Sequence, residues 1–132
     1  MTGKLLIVDD SATDRMIIQN MLKDYHVITA CDGQEAIGLI EENQDIDLVI
    51  LDINMPVMNG FEVLKKMNAI DPDKRMRAII LTNYDELDNE IQGLKAGAVD
   101  FIRKPINMES LRLRIAIHLE LLKIQKLYQQ AL

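Results

Sequence analysis

Leu48-Val49-Ile50-Leu51-Asp52 sets four apolar residues in a row and closes them with a carboxylate. A run that does not alternate apolar with polar suits a strand buried on both faces, as in the middle of a parallel sheet. Leu5-Leu6-Ile7-Val8 and Ala78-Ile79-Ile80-Leu81 read the same way. His26-Val27-Ile28-Thr29 and Val99-Asp100-Phe101-Ile102 complete a set of five strand candidates. Between them lie stretches with apolar residues at helical spacing. The first is marked by Met16, Ile17, Ile18, Met21 and Leu22, and 36–42, 61–68 and 86–96 follow. Strands alternating with helices predict βαβ units with right-handed crossovers. The expected fold class is α/β: a five-stranded parallel sheet, doubly wound, with no internal repeat and no linker.

Composition narrows the function. The chain has 132 residues, with 15 Lys and Arg against 21 Asp and Glu, for a net charge of −6. That length suits one domain with one core, and roughly two-thirds of the unfolded surface is buried at this size, so no metal or disulfide is needed for stability. The single Cys31 has no internal partner and reads as a small core hydrophobe. With no basic-then-apolar leader at Met1, it predicts a reducing, cytoplasmic setting. No apolar run approaches the ~20 residues of a membrane span. Two Phe, three Tyr, no Trp and an acidic balance argue against a nucleic-acid surface. The first strand is not followed by glycines, which excludes a dinucleotide fingerprint and a P-loop. His26 and His118 lack metal-ligand spacing, and no acidic residue directly follows His118 as a phosphohistidine reading would want.

From Met108 to Leu132 neither Pro nor Gly interrupts the chain, and Asn107 is placed to cap it. The predicted last helix spans about 37 Å, longer than a small domain needs. Its second half narrows to an apolar stripe through Ile117, Leu121, Ile124, Tyr128 and Ala131, a heptad-like seam suited to a second copy of the helix. The competing reading is a terminal helix folded back on its own domain. The expected boundaries are a domain over 1–120 and a helical extension over 121–132.

In parallel α/β sheets ligands bind beyond the carboxyl ends of the strands. The first strand ends in Asp9-Asp10, the third in Asp52, the fourth in Thr82, and the fifth leads to Lys104-Pro105. Two carboxylates ~4 Å apart repel by about 4 kcal/mol at an effective dielectric near 20, so such an edge calls for a cation or for protonation. Oxygen-only donors suit a hard ion such as Mg2+. Singly, each acid reads as a helix or loop cap. Together with Thr82 and Lys104 at matching strand ends, they read as a site.

These residues sit in longer stretches: Ile7-Val8-Asp9-Asp10-Ser11; Asp47 through Asp52 to Ile53-Asn54-Met55-Pro56-Val57-Met58-Asn59-Gly60-Phe61-Glu62; Ile79-Ile80-Leu81-Thr82; and Lys95-Ala96-Gly97-Ala98-Val99-Asp100-Phe101-Ile102-Arg103-Lys104-Pro105. The chain resembles, over residues 4 to about 120, the receiver domains of two-component response regulators, of which the chemotaxis response regulator is one. The resemblance implies a flavodoxin-like fold in which Asp52 takes a phosphoryl group from a histidine kinase, a phosphotransfer protein or a small phosphodonor. It implies Mg2+ held by Asp10, Asp52 and the Asn54 carbonyl, with Asp9 acting through water. Lys104 would pair with one phosphoryl oxygen and the Thr82 hydroxyl with another, and the Lys104-Pro105 bond is expected to be cis.

The same resemblance implies a switch in which Thr82 moves toward the phosphoryl group and Phe101 swings inward. The competing reading makes Phe101 a plain core aromatic. Asn83 is bulkier than the small residue usual in the family, and Tyr84, with Asn54, stands where hydrolysis of the aspartyl phosphate is tuned. Expected partners are a sensor kinase or phosphotransfer protein, a downstream protein or linked output domain, and a second copy through the last helix. The alternatives are a receiver fragment of a larger regulator with a cyclic-dinucleotide or kinase output domain, a silent pseudo-receiver, and a Mg2+-dependent phosphatase with an aspartate nucleophile. The phosphatase needs an acid two residues after the nucleophile, where this chain has Asn54.

Overall fold

The computed structural model describes residues 3–83 and 86–131; Tyr84 and the tuning role expected of it lie outside them. Five strands and five helices alternate: β1 (Lys4–Val8), α1 (Ala12–Met21), β2 (His26–Ala30), α2 (Gly33–Glu42), β3 (Leu48–Asp52), α3 (Gly60–Ile70), β4 (Arg77–Asn83), α4 (Leu87–Lys95), β5 (Asp100–Lys104) and α5 (Met108–Ala131). All strand pairs are parallel, in the order β2-β1-β3-β4-β5. This is the expected doubly wound sheet. Its order reverses at β1 and β3, the place where such folds bind ligands.

The uninterrupted apolar runs have the cause inferred for them. Alternate residues of each strand enter opposite layers. Leu6, Val8, Val49, Leu51 and Ile80 pack with Ala36 and Ile40 of α2 and Val63, Leu64 and Met67 of α3. Leu5, Ile7, Leu48, Ile50, Ile79 and Leu81 pack with Ile18 of α1, with Leu22 just after that helix, and with Leu111 and Ile115 of α5. With helices on both faces, neither face has room for a polar alternation. β5 begins one residue later than the sequence suggests and runs to Lys104, so that lysine is the last residue of a strand rather than part of a turn.

Local chemistry sets the helix starts. Ser11 caps α1 by accepting from the Asp14 amide, Asp32 caps α2 by accepting from that of Glu35, and Asn59 with Glu62 forms a capping box on α3. The Asn107 side chain accepts from the Ser110 amide at 2.9 Å, as its cap position predicts. Cys31 departs from expectation: it is exposed, at the end of the edge strand β2.

α5 is unbroken for 24 residues, or about 36 Å. It passes residue 120 without interruption, and its second half is held against the base of the sheet. Leu122 is buried, Gln125 donates to the Lys74 carbonyl at 3.0 Å and accepts from Arg77, and Lys126 pairs with Asp47 at 3.0 Å. The stripe through Ile117, Leu121, Ile124 and Tyr128 faces away from these contacts and is exposed, with Leu113 and Leu127 beside it. No described helix is long and apolar enough to cross a membrane.

Candidate functional site

The carboxyl edge of the sheet gathers most of the residues singled out in the sequence. Asp9 follows the end of β1, Asp52 closes β3, Thr82 lies in β4 one residue beyond Leu81, the register partner of Asp52, and Lys104 closes β5. Asp9 and Asp52 are buried and Asp10 is exposed. One carboxylate oxygen from each of the three lies within 4.8 Å of the others. Three oxygen donors at that spacing, with one side open to solvent, fit a hard divalent cation.

Asp9 is fixed from several directions. Its Oδ1 accepts from the Ser11 amide at 2.9 Å, its Oδ2 accepts from Lys104 Nζ at 2.9 Å, and its carbonyl accepts from Arg15 at 2.7 Å. Lys104 Nζ also donates to Asp14 Oδ2 at 2.9 Å and stands 3.5 Å from Asp52 Oδ2. The repulsion read from the sequence is therefore partly relieved within the chain, by an ammonium placed among three carboxylates. Asp14 was not singled out by the sequence reading, although an acid three residues after a Ser cap was a legible sign of a first-turn position. The Lys104-Pro105 peptide is cis.

Asp52 accepts from the Asn54 amide at 3.1 Å through Oδ1. Burial, with Asp9 and less strongly Asp10 adding negative charge, outweighs Lys104 and that hydrogen bond and pushes the Asp52 carboxyl up to about 7. Burial also works against the charge of Lys104, but hydrogen bonds to Asp9 and Asp14 and the field of Asp52 overcome it and raise its pKa. Asp52 rises chiefly because it is buried beside other acids, and Lys104 rises because carboxylates surround it.

Gly60 makes this corner possible. A Cβ there would meet the Asp52 carbonyl oxygen at 2.6 Å and the Ile53 Cα at 2.8 Å, both main-chain atoms unable to move aside. Its amide donates to the Ile53 carbonyl at 2.9 Å, drawing the start of α3 against the residues that follow Asp52.

Two of the expected residues are engaged elsewhere. The Asn54 side-chain amide donates to both carboxylate oxygens of Glu86, at 3.1 and 3.0 Å, and Asn83 donates to the same carboxylate at 2.8 Å. Thr82 Oγ1 donates to Glu90 Oε2 at 3.2 Å. Phe101 is half-buried against the α2–α3 core layer, with the Arg103 guanidinium 5.6 Å from its ring centroid. Glu86 and Glu90 gave no sign in the sequence, where each reads as an ordinary solvated helix acid.

The chain matches the family model for the response regulator receiver domain over residues 5–116. It is 40% identical over 112 residues to a chemotaxis protein CheY homolog of Campylobacter jejuni, covering 83% of this chain and 86% of that one. It is also 40% identical over 114 residues to the "Probable transcriptional regulator ycf27" of Guillardia theta, covering 85% of this chain but only 43% of that longer one. A solved response regulator receiver domain from Clostridium thermocellum superimposes with a TM-score of 0.86 at 34% identity, covering 92% of this chain and 98% of that one. With the parallel sheet, the acidic carboxyl edge and the lysine among its carboxylates, these matches make the chain a member of the response regulator receiver domain family.

Proposed function

We propose that Asp52 is the phosphoacceptor of this receiver domain, taking a phosphoryl group from a phosphohistidine on a sensor kinase or phosphotransfer protein, or from a small phosphodonor. Receiver domains are phosphoacceptor switches rather than conventional enzymes; here the chain's own residues would assist the transfer and the later hydrolysis. The observation that carries the reading is the position of Asp52, which shares a 4.8 Å cluster with Asp9 and Asp10 and has Lys104 Nζ 3.5 Å from its Oδ2.

In the forward step an Asp52 carboxylate oxygen forms a bond to phosphorus and the bond from phosphorus to the donor nitrogen or oxygen breaks. The imidazole leaving group keeps the nitrogen electron pair and takes a proton. Asp52 reacts as the carboxylate, so a value near 7 leaves part of the population protonated at neutral pH. Asp9, Asp10 and Asp52 would hold Mg2+, with the Asn54 carbonyl as a further donor, and the bound ion supplies positive charge toward the phosphoryl oxygens. Lys104, already held at the site, contributes the second positive charge. The Thr82 hydroxyl then donates to a phosphoryl oxygen, and Phe101 moves inward as Thr82 shifts, changing the surface of α4, β5 and α5.

We propose further that the exposed stripe of α5 pairs two copies of the domain in parallel, and that the protein works in the cytoplasm. Incubation with Mg2+ and acetyl phosphate, read by intact mass, tests the central reading. Wild type gains one phosphoryl group and Asp52→Asn gains none. Equal labelling of the two proteins overturns the assignment.

A further inference from the structure

The side chain that does not fit the surface role of its helix is Glu90. Most of its neighbours in α4 are exposed, yet Glu90 is 1% exposed. A carboxylate that deep needs partners, and Glu90 uses both oxygens. Oε2 accepts from Thr82 Oγ1 at 3.2 Å and from Arg103 Nε at 2.7 Å, while Oε1 accepts from Arg103 Nη2 at 3.0 Å. Thr82 and Arg103 are register partners across β4 and β5, and Ile80 and Phe101 form the pair two residues earlier. The two-residue period of a strand sets these four side chains on one face. Ile80 shows that α4 covers this face, since a Cβ on Gly93 would fall 2.2 Å from its Cδ1. Glu90, one turn earlier in α4, thus grips both residues to which the switch is assigned: Thr82 directly, and Phe101 through the guanidinium that lies over its ring.

We infer that Glu90 is a positioning residue that holds the switch in its unphosphorylated arrangement. The inference rests on the reading of Asp52 as phosphoacceptor and of Thr82 as the hydroxyl that answers it. A hydroxyl has one proton to donate. While that proton lies on Glu90 it is withheld from a phosphoryl oxygen on Asp52, so the two acceptors compete for Thr82. Glu90 keeps its two bonds to Arg103 when Thr82 leaves, which spares the fold an unpaired buried charge at that moment. The threshold for switching is then set by an ion pair between α4 and β5, away from the phosphoryl site.

A double-mutant cycle decides the matter, with Mg2+ and beryllofluoride as the phosphoryl mimic and calorimetric titration as the readout. Because a hydrogen bond to a charged group is being released, Glu90→Ala binds the mimic about tenfold tighter than wild type. In a Thr82→Val background, which has no hydroxyl to release, Glu90→Ala brings no gain. Glu90→Gln keeps a neutral acceptor in place and gains only about threefold. In the mimic-free Glu90→Ala protein, the amide resonances of Thr82 and Phe101 move toward their positions in mimic-bound wild type. Unchanged or weaker binding by Glu90→Ala, or an equal gain in both backgrounds, overturns the inference. If Glu90→Ala does not fold, Glu90→Gln decides by the same direction of change. Wild type that binds no beryllofluoride would remove the phosphoacceptor reading itself. Wild type that binds it, with variants that bind no tighter, removes only the role of Glu90.

Discussion

At the scale of the residue, Asp52 shows how a site can work against its own fold. Its folded-state value of about 7 lies above the ordinary 3.8. Between those values the folded chain keeps a proton that the unfolded chain has released, so this group lowers stability as the pH rises through that window. Metal-free wild type should therefore lose melting temperature between pH 5 and pH 8 relative to Asp52→Asn, and the variant should be the more stable at pH 8. Mg2+ needs the ionised carboxylates, so it should raise the wild-type melting temperature more at pH 8 than at pH 5. Thermal melts of both proteins, with and without Mg2+, check both directions; a variant that tracks wild type at every pH would contradict the origin given for the shift. Gly60 offers a second test. The main-chain atoms 2.6 and 2.8 Å from a Cβ at that position cannot yield cheaply. Gly60→Ala should cost about 1–3 kcal/mol in urea denaturation, a range typical of overpacking. It should also slow labelling by acetyl phosphate, because the displaced atoms belong to Asp52 and Ile53.

At the scale of the element, α5 is two helices in one. One face is core: Leu111 and Ile115 pack under the sheet and Leu122 is 3% exposed at its base. The other face carries the apolar stripe, on which Leu121 is 55% exposed. Neighbouring leucines thus predict opposite results. Leu122→Ala should destabilise the monomer by about 2–5 kcal/mol, as burial and a cavity require. Leu121→Ala should cost the monomer under about 0.5 kcal/mol, as exposed positions do. Urea denaturation at micromolar protein measures both. A large loss at Leu121 would mean that this face is already covered.

For the whole molecule, the exposed stripe bears on the proposed pairing of two copies. Pairing in parallel about a two-fold axis would bury Ile117, Leu121, Ile124 and Tyr128 against their copies, in the simplest closed symmetry available. It also joins two copies of the surface that phosphorylation is proposed to repack. Sedimentation should find a weak dimer, tighter with Mg2+ and beryllofluoride and abolished in Leu121→Glu/Ile124→Glu. A wild-type monomer under every condition would leave α5 as a helix serving its own domain alone.

The strands, their parallel pairing and the acidic edge were legible in the order of residues, because burial on both faces of a sheet forbids alternation and forces uninterrupted runs such as Leu48 to Leu51. Because each strand in a parallel sheet points the same way, the residue closing each run falls on one edge, and Asp9, Asp10, Asp52 and Lys104 were found by that rule. The far face of α5 was legible too, as a period. What only the tertiary structure decided was which polar groups meet. Asp14 reaches Lys104 across 90 residues of chain, Glu86 takes the Asn54 amide across 32, and Glu90 takes Arg103 across 13. A helix acid looks the same in sequence whether it faces water or a guanidinium, since its partner is chosen by packing between elements and leaves no local period. The same holds for the docked half of α5, where Leu121 and Leu122 are identical residues whose fates are set by the side of the helix that meets the sheet.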